Sequence, residues 1–302
     1  MEISVCIATY KRCDRLDVLL DDLVRQKRPP QQVVVADNDV EGSARAVIER
    51  RRNAGAPFRL DYDIQSQRNI ALTRNRTVEL ATGEWLAFID DDERAPADWL
   101  DSLMQAAALY LADGVLAPVE PQLPADAPAW LRRGRFYDFP HQENGALVPL
   151  NRMRFGNVLL RGSRLRAEPG PFDPRYGLMT GEDGDLLVRL VHGGAKIVWY
   201  DEAPVYEPVE PKRLSLRWLV MRALSGGQEF ARQTLNGRYR PIGLAGRCAF
   251  FLRVLLQLLT ASALALLSWP LGRHRAAAWL IRAGANLGKL STFWGWRYRA
   301  YT

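Results

Sequence analysis

Four consecutive acidic side chains, Asp90-Asp91-Asp92-Glu93, follow directly on the apolar run Trp85-Leu86-Ala87-Phe88-Ile89. Like charges at the end of a buried strand repel unless a cation or a basic partner sits among them. Hard divalent cations such as Mg2+ and Mn2+ take carboxylate oxygens, and commonly combine one or two protein carboxylates with the phosphates of a substrate. The run therefore has two readings. It suits a metal-diphosphate site at the carboxyl end of a strand, where open α/β sheets place their ligands, and it suits a solvated acidic turn before a helix. A second acidic group, Gly181-Glu182-Asp183-Gly184-Asp185, opens an amphipathic stretch at residues 185–192. A carboxylate at a helix N-terminus stays charged and aimed, as a general base must, and the same spacing also suits helix capping.

The elements that must position these groups alternate in type. Residues 3–8 form a compact β-rich run that ends in Thr9-Tyr10-Lys11-Arg12. Asp14 can cap a helix whose apolar positions Leu16, Leu19, Leu20 and Leu23 recur at helical spacing, and Pro29-Pro30 stops it. An all-apolar strand over 32–36 then ends in Asp37-Asn38-Asp39. Strand, helix and parallel strand make the βαβ unit of many nucleotide-binding folds. A helix over 43–52, a strand over 58–64 and a helix opened by Gln67-Arg68-Asn69 lead to the acidic strand. Three strands thus deliver Thr9-Tyr10, Asp37 to Asp39 and Asp90 to Asp92 to one edge. Arg68, Arg74 and Arg76 are either surface charge or, beside carboxylates, groups that bind diphosphate or orient the acids. A Gly-x-Gly-x-x-Gly loop after the first strand and a Gly-Lys-Ser/Thr loop are both missing, which argues against a dinucleotide-binding dehydrogenase and a P-loop enzyme.

Charge divides the chain. The net charge is +7 over 302 residues, yet from residue 212 onward 15 Lys and Arg face one acid, Glu229, so the preceding part is acidic on balance. A basic, apolar tail favours an anionic membrane surface over nucleic acid. Residues 254–271 carry no charge and are flanked by Arg247, Arg253, Arg273 and Arg275, at the lower edge of length for a membrane span. Residues 276–296 are amphipathic and run into Phe293-Trp294-Gly295-Trp296-Arg297-Tyr298, and aromatics with arginines mark a membrane interface. The expectation is a monotopic or peripheral anchor at the cytoplasmic face of the inner (plasma) membrane, because a single crossing would strand the basic helix outside. The alternative is a pair of helices buried against the catalytic domain or in an oligomer. Cys6, Cys13 and Cys248 form no CxxC pair, consistent with a reduced compartment, and the first residues lack the pattern of a signal peptide. His141, His192 and His274 are too scattered to be read as a metal set.

Four motifs in order resemble the inverting glycosyltransferases of family 2. They are Ser4 to Arg12, Val35 to Asp39, Ala81 to Asp92 and Gly181 to Leu186. They span roughly the first two thirds of the chain, and four ordered motifs are far more specific than any one. Ala36-Asp37-Asn38-Asp39, Phe88-Ile89-Asp90-Asp91-Asp92-Glu93 and the spacing of Arg68-Asn69-Ile70 and Arg74-Asn75 are similar to the exopolysaccharide transferases of the succinoglycan ExoM type within that family.

The resemblance implies an α/β protein of the GT-A (Rossmann-like) fold, a mixed sheet flanked by helices, with a C-terminal helical membrane-associating region. It implies a catalytic domain over 1–211, with a nucleotide-sugar half to about 117 and an acceptor half from about 118, and the basic region over 212–302. The implied donor is a UDP-sugar, with glucose the first candidate. The implied acceptor is a lipid-linked (polyprenyl diphosphate) saccharide, and the implied cofactor is Mn2+ or Mg2+. Ala8, Thr9, Tyr10 and Arg12 line the nucleotide pocket, with Asp39 or Asp37 accepting a hydrogen bond from the base, and Arg68 and Arg74 serve the nucleotide-sugar. Asp92 and Asp90 ligate the metal, Asp90 also facing the ribose or sugar, and Asp91 shares either role. Asp183 is the base and Glu182 binds acceptor hydroxyls. The aromatic, proline-rich segment around Trp130 suits the acceptor. Trp218 joins it, in Leu214-Ser215-Leu216-Arg217-Trp218, which is similar to the Gln-x-x-Arg-Trp motif of processive members with Leu214 in place of the Gln. Glu207 stands near where many relatives have a metal-holding histidine, and offers a carboxylate instead. A sugar-phosphate nucleotidyltransferase is the runner-up, but it should carry a Gly-rich basic loop that Ala8-Thr9-Tyr10-Lys11 lacks. A non-catalytic membrane-bound nucleotide-sugar binder is the third reading.

Overall fold

The computed structural model describes residues 2–177 and 181–296, so Arg297 and Tyr298 of the aromatic run lie outside the described residues. In chain order the first elements are β1 (Ile3–Thr9), α1 (Cys13–Val24), β2 (Gln32–Asp37), α2 (Arg45–Asn53), β3 (Arg59–Ile64), α3 (Ile70–Leu80), β4 (Trp85–Ile89), α4 (Trp99–Leu109) and β5 (Gly114–Leu116). There follow β6 (Val119–Gln122), α5 (Ala129–Gly134), β7 (Asn157–Arg161), α6 (Gly162–Arg166), α7 (Glu182–His192), β8 (Ile197–Trp199), β9 (Val205–Pro208), α8 (Leu216–Leu235), α9 (Leu244–Ser268) and α10 (Arg273–Ser291).

Seven strands form one sheet in the order β3-β2-β1-β4-β7-β5-β8, and β6 pairs with β9 in a second. Only β7 runs against its neighbours in the large sheet: β1, β2, β3 and β4 are mutually parallel, and β5 and β8 are parallel to each other. The mixed sheet expected from the sequence is therefore present. Its inner strands β2 and β4 are buried on both faces, which is why they read as continuous apolar runs without alternation. Val5, Ile7, Val33, Val35, Ala87 and Ile89 meet Leu16, Leu19, Leu20 and Leu23 of α1 and Trp99, Leu100 and Leu103 of α4 in one core. Gly83 is required just before β4, because a Cβ there would lie 2.6 Å from the backbone nitrogen of Ser4.

The reversed β7 matters for function. Its register sets Asn157 opposite Ile89, so β7 begins where β4 ends and residues 154–156 arrive at the same edge as the acidic run. Asn157 fixes that start. Its Oδ1 accepts from Trp99 Nε1 at 2.8 Å, and its Nδ2 donates to the carbonyls of Pro118 and Ala203 at 2.8 and 2.7 Å. A buried amide with all of these bonds made is worth keeping only where a loop must be held in place.

The chain separates into two compact units: residues 1–120, 139–178 and 182–207 in the first, and 121–138, 179–181 and 208–302 in the second. The first contains the sheet. The second takes in the segment 121–138. Here α8 and α10 approach backbone to backbone, because Gly227 and Gly288 leave no side chain in the way. A Cβ on either would run into the carbonyl of Ala285 or Leu224. The polar face of α10 is thereby used inside the unit, where Gln228 Nε2 donates to Ser291 Oγ at 2.7 Å. The apolar helix α9 is longer than the stretch 254–271 suggested, and leaves Leu252, Leu255, Leu256, Leu259, Leu266 and Leu267 exposed. With the turn that follows, Leu244–Leu271 is long and apolar enough to cross a membrane.

Candidate active site

The site is built at the carboxyl ends of β1, β2 and β4, the α7 N-terminus and the start of β7. The loop after β1 turns at Lys11, a non-glycine residue held at φ +53°. Such a conformation costs about 1 kcal/mol or more and persists where surrounding bonds over-determine it. Here Thr9 Oγ1 donates to Asp91 Oδ2 at 2.7 Å, while Arg12 reaches Asp91 at 2.8 Å and Asp92 at 3.0 Å. Arg15, one turn further on, lies 3.5 Å from Asp92. Asp14 occupies the first turn of α1 rather than capping it, and the N-cap position falls to Arg12.

Arg74 of α3 joins the two acidic groups. It donates to Asp90 at 3.2 Å and to Glu182 at 2.6 Å, and its guanidinium lies over the Phe155 ring at 5.2 Å. Asp183 is oriented by backbone donors: Oδ2 accepts from the Phe155 N–H at 2.9 Å and Oδ1 from the Gly184 N–H at 2.8 Å. Glu93 is fully inside, accepting from the Asp90 N–H at 3.0 Å. Gly156, at φ +113°, makes room for it, since a Cβ there would lie 2.9 Å from Glu93 Oε1.

Crowding shows in the proton affinities. Burial, with Asp90, Glu207 and Asp92 adding like charge, holds Glu93 well above the usual carboxylate range. Burial lifts Asp91 to about 6 against the opposing pull of Arg12. Asp90 is raised by desolvation, with Asp92 and Asp183 adding to it and Arg74 opposing. Burial lifts Glu182 to about 7 even though Arg74 is bonded to it. A carboxyl whose folded value lies above its unfolded one binds more protons in the native state, so its contribution falls as pH rises from about 4.5 to about 7. The protein without ligands should therefore unfold several degrees lower at pH 7.5 than at pH 5.5, on the order of a few kcal/mol. Thermal scans at the two pH values check this. A Glu182→Gln variant should lose part of the difference, the rest remaining with Glu93, Asp91 and Asp90, and an unchanged difference in that variant would sink the assignment to Glu182.

After β1 the half-exposed ring of Tyr10 has Arg68 at 5.1 Å and Lys11 at 5.4 Å. Asp37 is completely buried and has both oxygens engaged within the protein. It accepts from the N–H groups of Asp39 and Ala44 at 3.0 and 2.8 Å and from the Tyr62 hydroxyl at 3.0 Å. That commitment makes Asp37 the holder of the 39–44 loop, while Asp39 lies 3.9 Å from Lys11 Nζ. Ala8 is partly exposed at the end of β1. Glu207 lies on β9 within electrostatic reach of Glu93.

Trp130 and Trp218 fall in the second unit. Trp130 packs with Phe136 at 5.7 Å and lies under Arg273 at 4.8 Å, and Trp218 stacks on Tyr137 at 6.0 Å. Sequence reasoning did not single out Arg15, Arg154 or Asn157. The signal for Arg15 was its i+3 spacing from Arg12 on one helix face.

Among the described residues no group of three or more His, Cys, Asp or Glu side chains forms a metal cage. The donor set is nonetheless all carboxylate oxygen. Asp90, Asp91 and Asp92 are paired with Arg74, Arg12 and Arg15, and Asp183 adds a further carboxylate beside Asp90. These residues fit a hard divalent cation held by one or two carboxylates and completed by a ligand's phosphates.

The pattern of the family described as Glycosyl transferase family 2 matches residues 4–162. The chain is 35% identical over 238 residues to the succinoglycan biosynthesis protein ExoM of Rhizobium meliloti, covering 77% of this chain and 75% of that one. Two solved structures are similar in fold. A mannosyltransferase, PcManGT from Pyrobaculum calidifontis, in complex with GDP-Man and Mn2+, superposes with a TM-score of 0.61 at 20% identity, over 95% of this chain and 86% of its own. TarS 1-349 of S. aureus, in complex with UDP, gives 0.55 at 18% identity, over 99% and 93%.

Proposed function

Since the chain belongs to glycosyltransferase family 2 and is a hexosyltransferase of the GT-A fold, we propose that it moves one sugar with inversion from a UDP-sugar, glucose being the first candidate, to a lipid-linked saccharide in exopolysaccharide or cell-surface glycan synthesis. The observation that carries this reading is Arg74, bonded at once to Asp90 of the first acidic group and Glu182 of the second. One side chain thereby ties the donor end of the site to the acceptor end.

In this reading the acceptor hydroxyl gives its proton to Asp183 as its oxygen attacks the anomeric carbon. The new carbon–oxygen bond forms on the face opposite the breaking bond, whose electron pair departs with UDP. Arg12 and Arg15 lie on the acidic run and offer positive charge to the departing diphosphate. Asp39 receives the base, with Tyr10 and Arg68 beside it. Asp92 and Asp90, with Glu207 as a further carboxylate, would hold Mn2+ or Mg2+. When bound, the ion would act as a Lewis acid on the diphosphate oxygens.

The exposed leucines of α9 and the basic balance of the C-terminal region support attachment to the cytoplasmic face of an anionic membrane, peripheral or monotopic. The test is release of UDP from a panel of UDP-sugars by the full chain on phosphatidylglycerol vesicles, with Mn2+, with Mg2+ and with chelator. One donor should be turned over, by protein that floats with the vesicles, and chelator should stop it. Turnover unaffected by chelator would remove the metal from the proposal, and activity confined to protein that does not float would remove the membrane. Neither binding nor turnover of any UDP-sugar would remove the donor assignment.

A further inference from the structure

Arg154 is a charged side chain at the site to which the mechanism above gives no task. It stands three residues before β7, at the edge where β4 ends, and the N–H of the next residue, Phe155, is the one that orients Asp183. Its guanidinium carbon lies 3.4 Å from the centre of the Phe139 ring, a close cation–ring contact that holds the donor fork in place. Glu93, Asp183, Glu120 and Glu207 all surround it closely enough to act on its charge. Yet among the described residues the guanidinium forms no hydrogen bond and no ion pair. A half-buried arginine that pairs with none of four nearby carboxylates and packs on an aromatic ring keeps its N–H donors available to a ligand at Asp183.

We propose that Arg154, held by Phe139, forms the acceptor subsite for a neutral glycosyl unit, donating to hydroxyl oxygens of the acceptor sugar beside the one that Asp183 deprotonates. The chemistry favours a neutral polyol over an anion. Even with Glu93 held well above the usual carboxylate range, Asp183, Glu120 and Glu207 outnumber the one cation and leave the pocket negative, which repels an acidic sugar or a phosphate. A hydroxyl can accept from the guanidinium and donate to a carboxylate in the same place. Arg154 is here a specificity residue that touches the acceptor, and Phe139 a positioning residue that acts through it.

The proposal rests on the transferase reading, and the test separates the two. The full chain is assayed in a sugar-free detergent with its UDP-sugar donor, against octyl glucoside, octyl galactoside, octyl N-acetylglucosaminide and octyl glucuronide as acceptors. Wild type should transfer to at least one neutral glycoside and poorly to the glucuronide. Arg154→Gln should raise the KM for that glycoside about tenfold or more, as the loss of hydrogen bonds from a charged donor does. Arg154→Lys should fall between them, Phe139→Ala should show a smaller rise, and the donor KM and UDP release into water should stay within about twofold of wild type. An unchanged glycoside KM in Arg154→Gln, a donor KM that rises with it, a preference for the glucuronide, or donor turnover with transfer to no neutral glycoside would each overturn the proposal. A wild type that neither binds nor releases UDP overturns the transferase reading instead.

Discussion

Replacing Asp183 by Asn is expected to lower transfer by about two to four orders of magnitude, the range over which a positioned general base acts, while UDP-sugar still binds. The substitution keeps the size of the side chain and one oxygen. Asp183 uses its two oxygens to accept from the Phe155 and Gly184 N–H groups, and each retains a second lone pair for the incoming proton. The amide of Asn must turn its NH2 toward one of these N–H donors, so the residue loses both its basicity and part of its hold. The alternative base is Glu182, and its surroundings argue against it. It is 3% exposed, bonded to Arg74 at 2.6 Å, and its proton affinity is raised by burial rather than by contact with a substrate space. The decisive measurement is single-turnover transfer together with the dissociation constant for the UDP-sugar, in Asp183→Asn and Glu182→Gln. A rate near wild type in Asp183→Asn, with the large loss in Glu182→Gln, would move the base to Glu182.

The half of the sheet formed by β1, β2 and β4 was legible because parallel strands buried on both faces announce themselves as apolar runs. Each run ends in the polar residues that the fold needs at its carboxyl edge, as at Thr9, Asp37 and Asp90. The far half was less legible. The segment Phe155 to Leu160 reads as a strand from composition, but its direction is set by its neighbours, and only the antiparallel pairing with β4 brings Arg154 and Phe155 to the acidic run. Asp37 and Asp39 look interchangeable in sequence. The difference between them is three hydrogen bonds from Ala44, Tyr62 and Asp39 itself, which arrive from residues that local spacing does not connect. The amphipathic pattern of α10 likewise fits a membrane surface and a helix partner equally. Gly227 and Gly288 decide for a partner in the structure, by allowing α8 to come so close.

Asp92→Ala should make donor binding insensitive to metal and reduce UDP release by about two to three orders of magnitude, the several kcal/mol that a Lewis acid contributes to a departing phosphate. An ordinary structural role predicts something else. Asp92 is 6% exposed and pairs with Arg12 and Arg15, so if it served only those ion pairs its loss should resemble the loss of either arginine and should lower stability. The electrostatics point away from that outcome. Asp92 adds like charge to Asp90, Asp91 and Glu93, raising the proton affinity of all three, so its removal relieves repulsion that partly offsets the lost pairs. The comparison is therefore between Asp92→Ala and Arg12→Met, with UDP affinity titrated against Mn2+ and thermal unfolding followed in parallel. Wild type and Arg12→Met should both bind UDP more tightly as Mn2+ is added, Arg12→Met from a weaker starting point. Asp92→Ala should give one affinity at every Mn2+ concentration, with a melting temperature close to that of wild type. Full metal-dependent tightening in Asp92→Ala would mean that the acidic run at this edge serves Arg12 and Arg15 alone, and that the cation, if there is one, is held elsewhere.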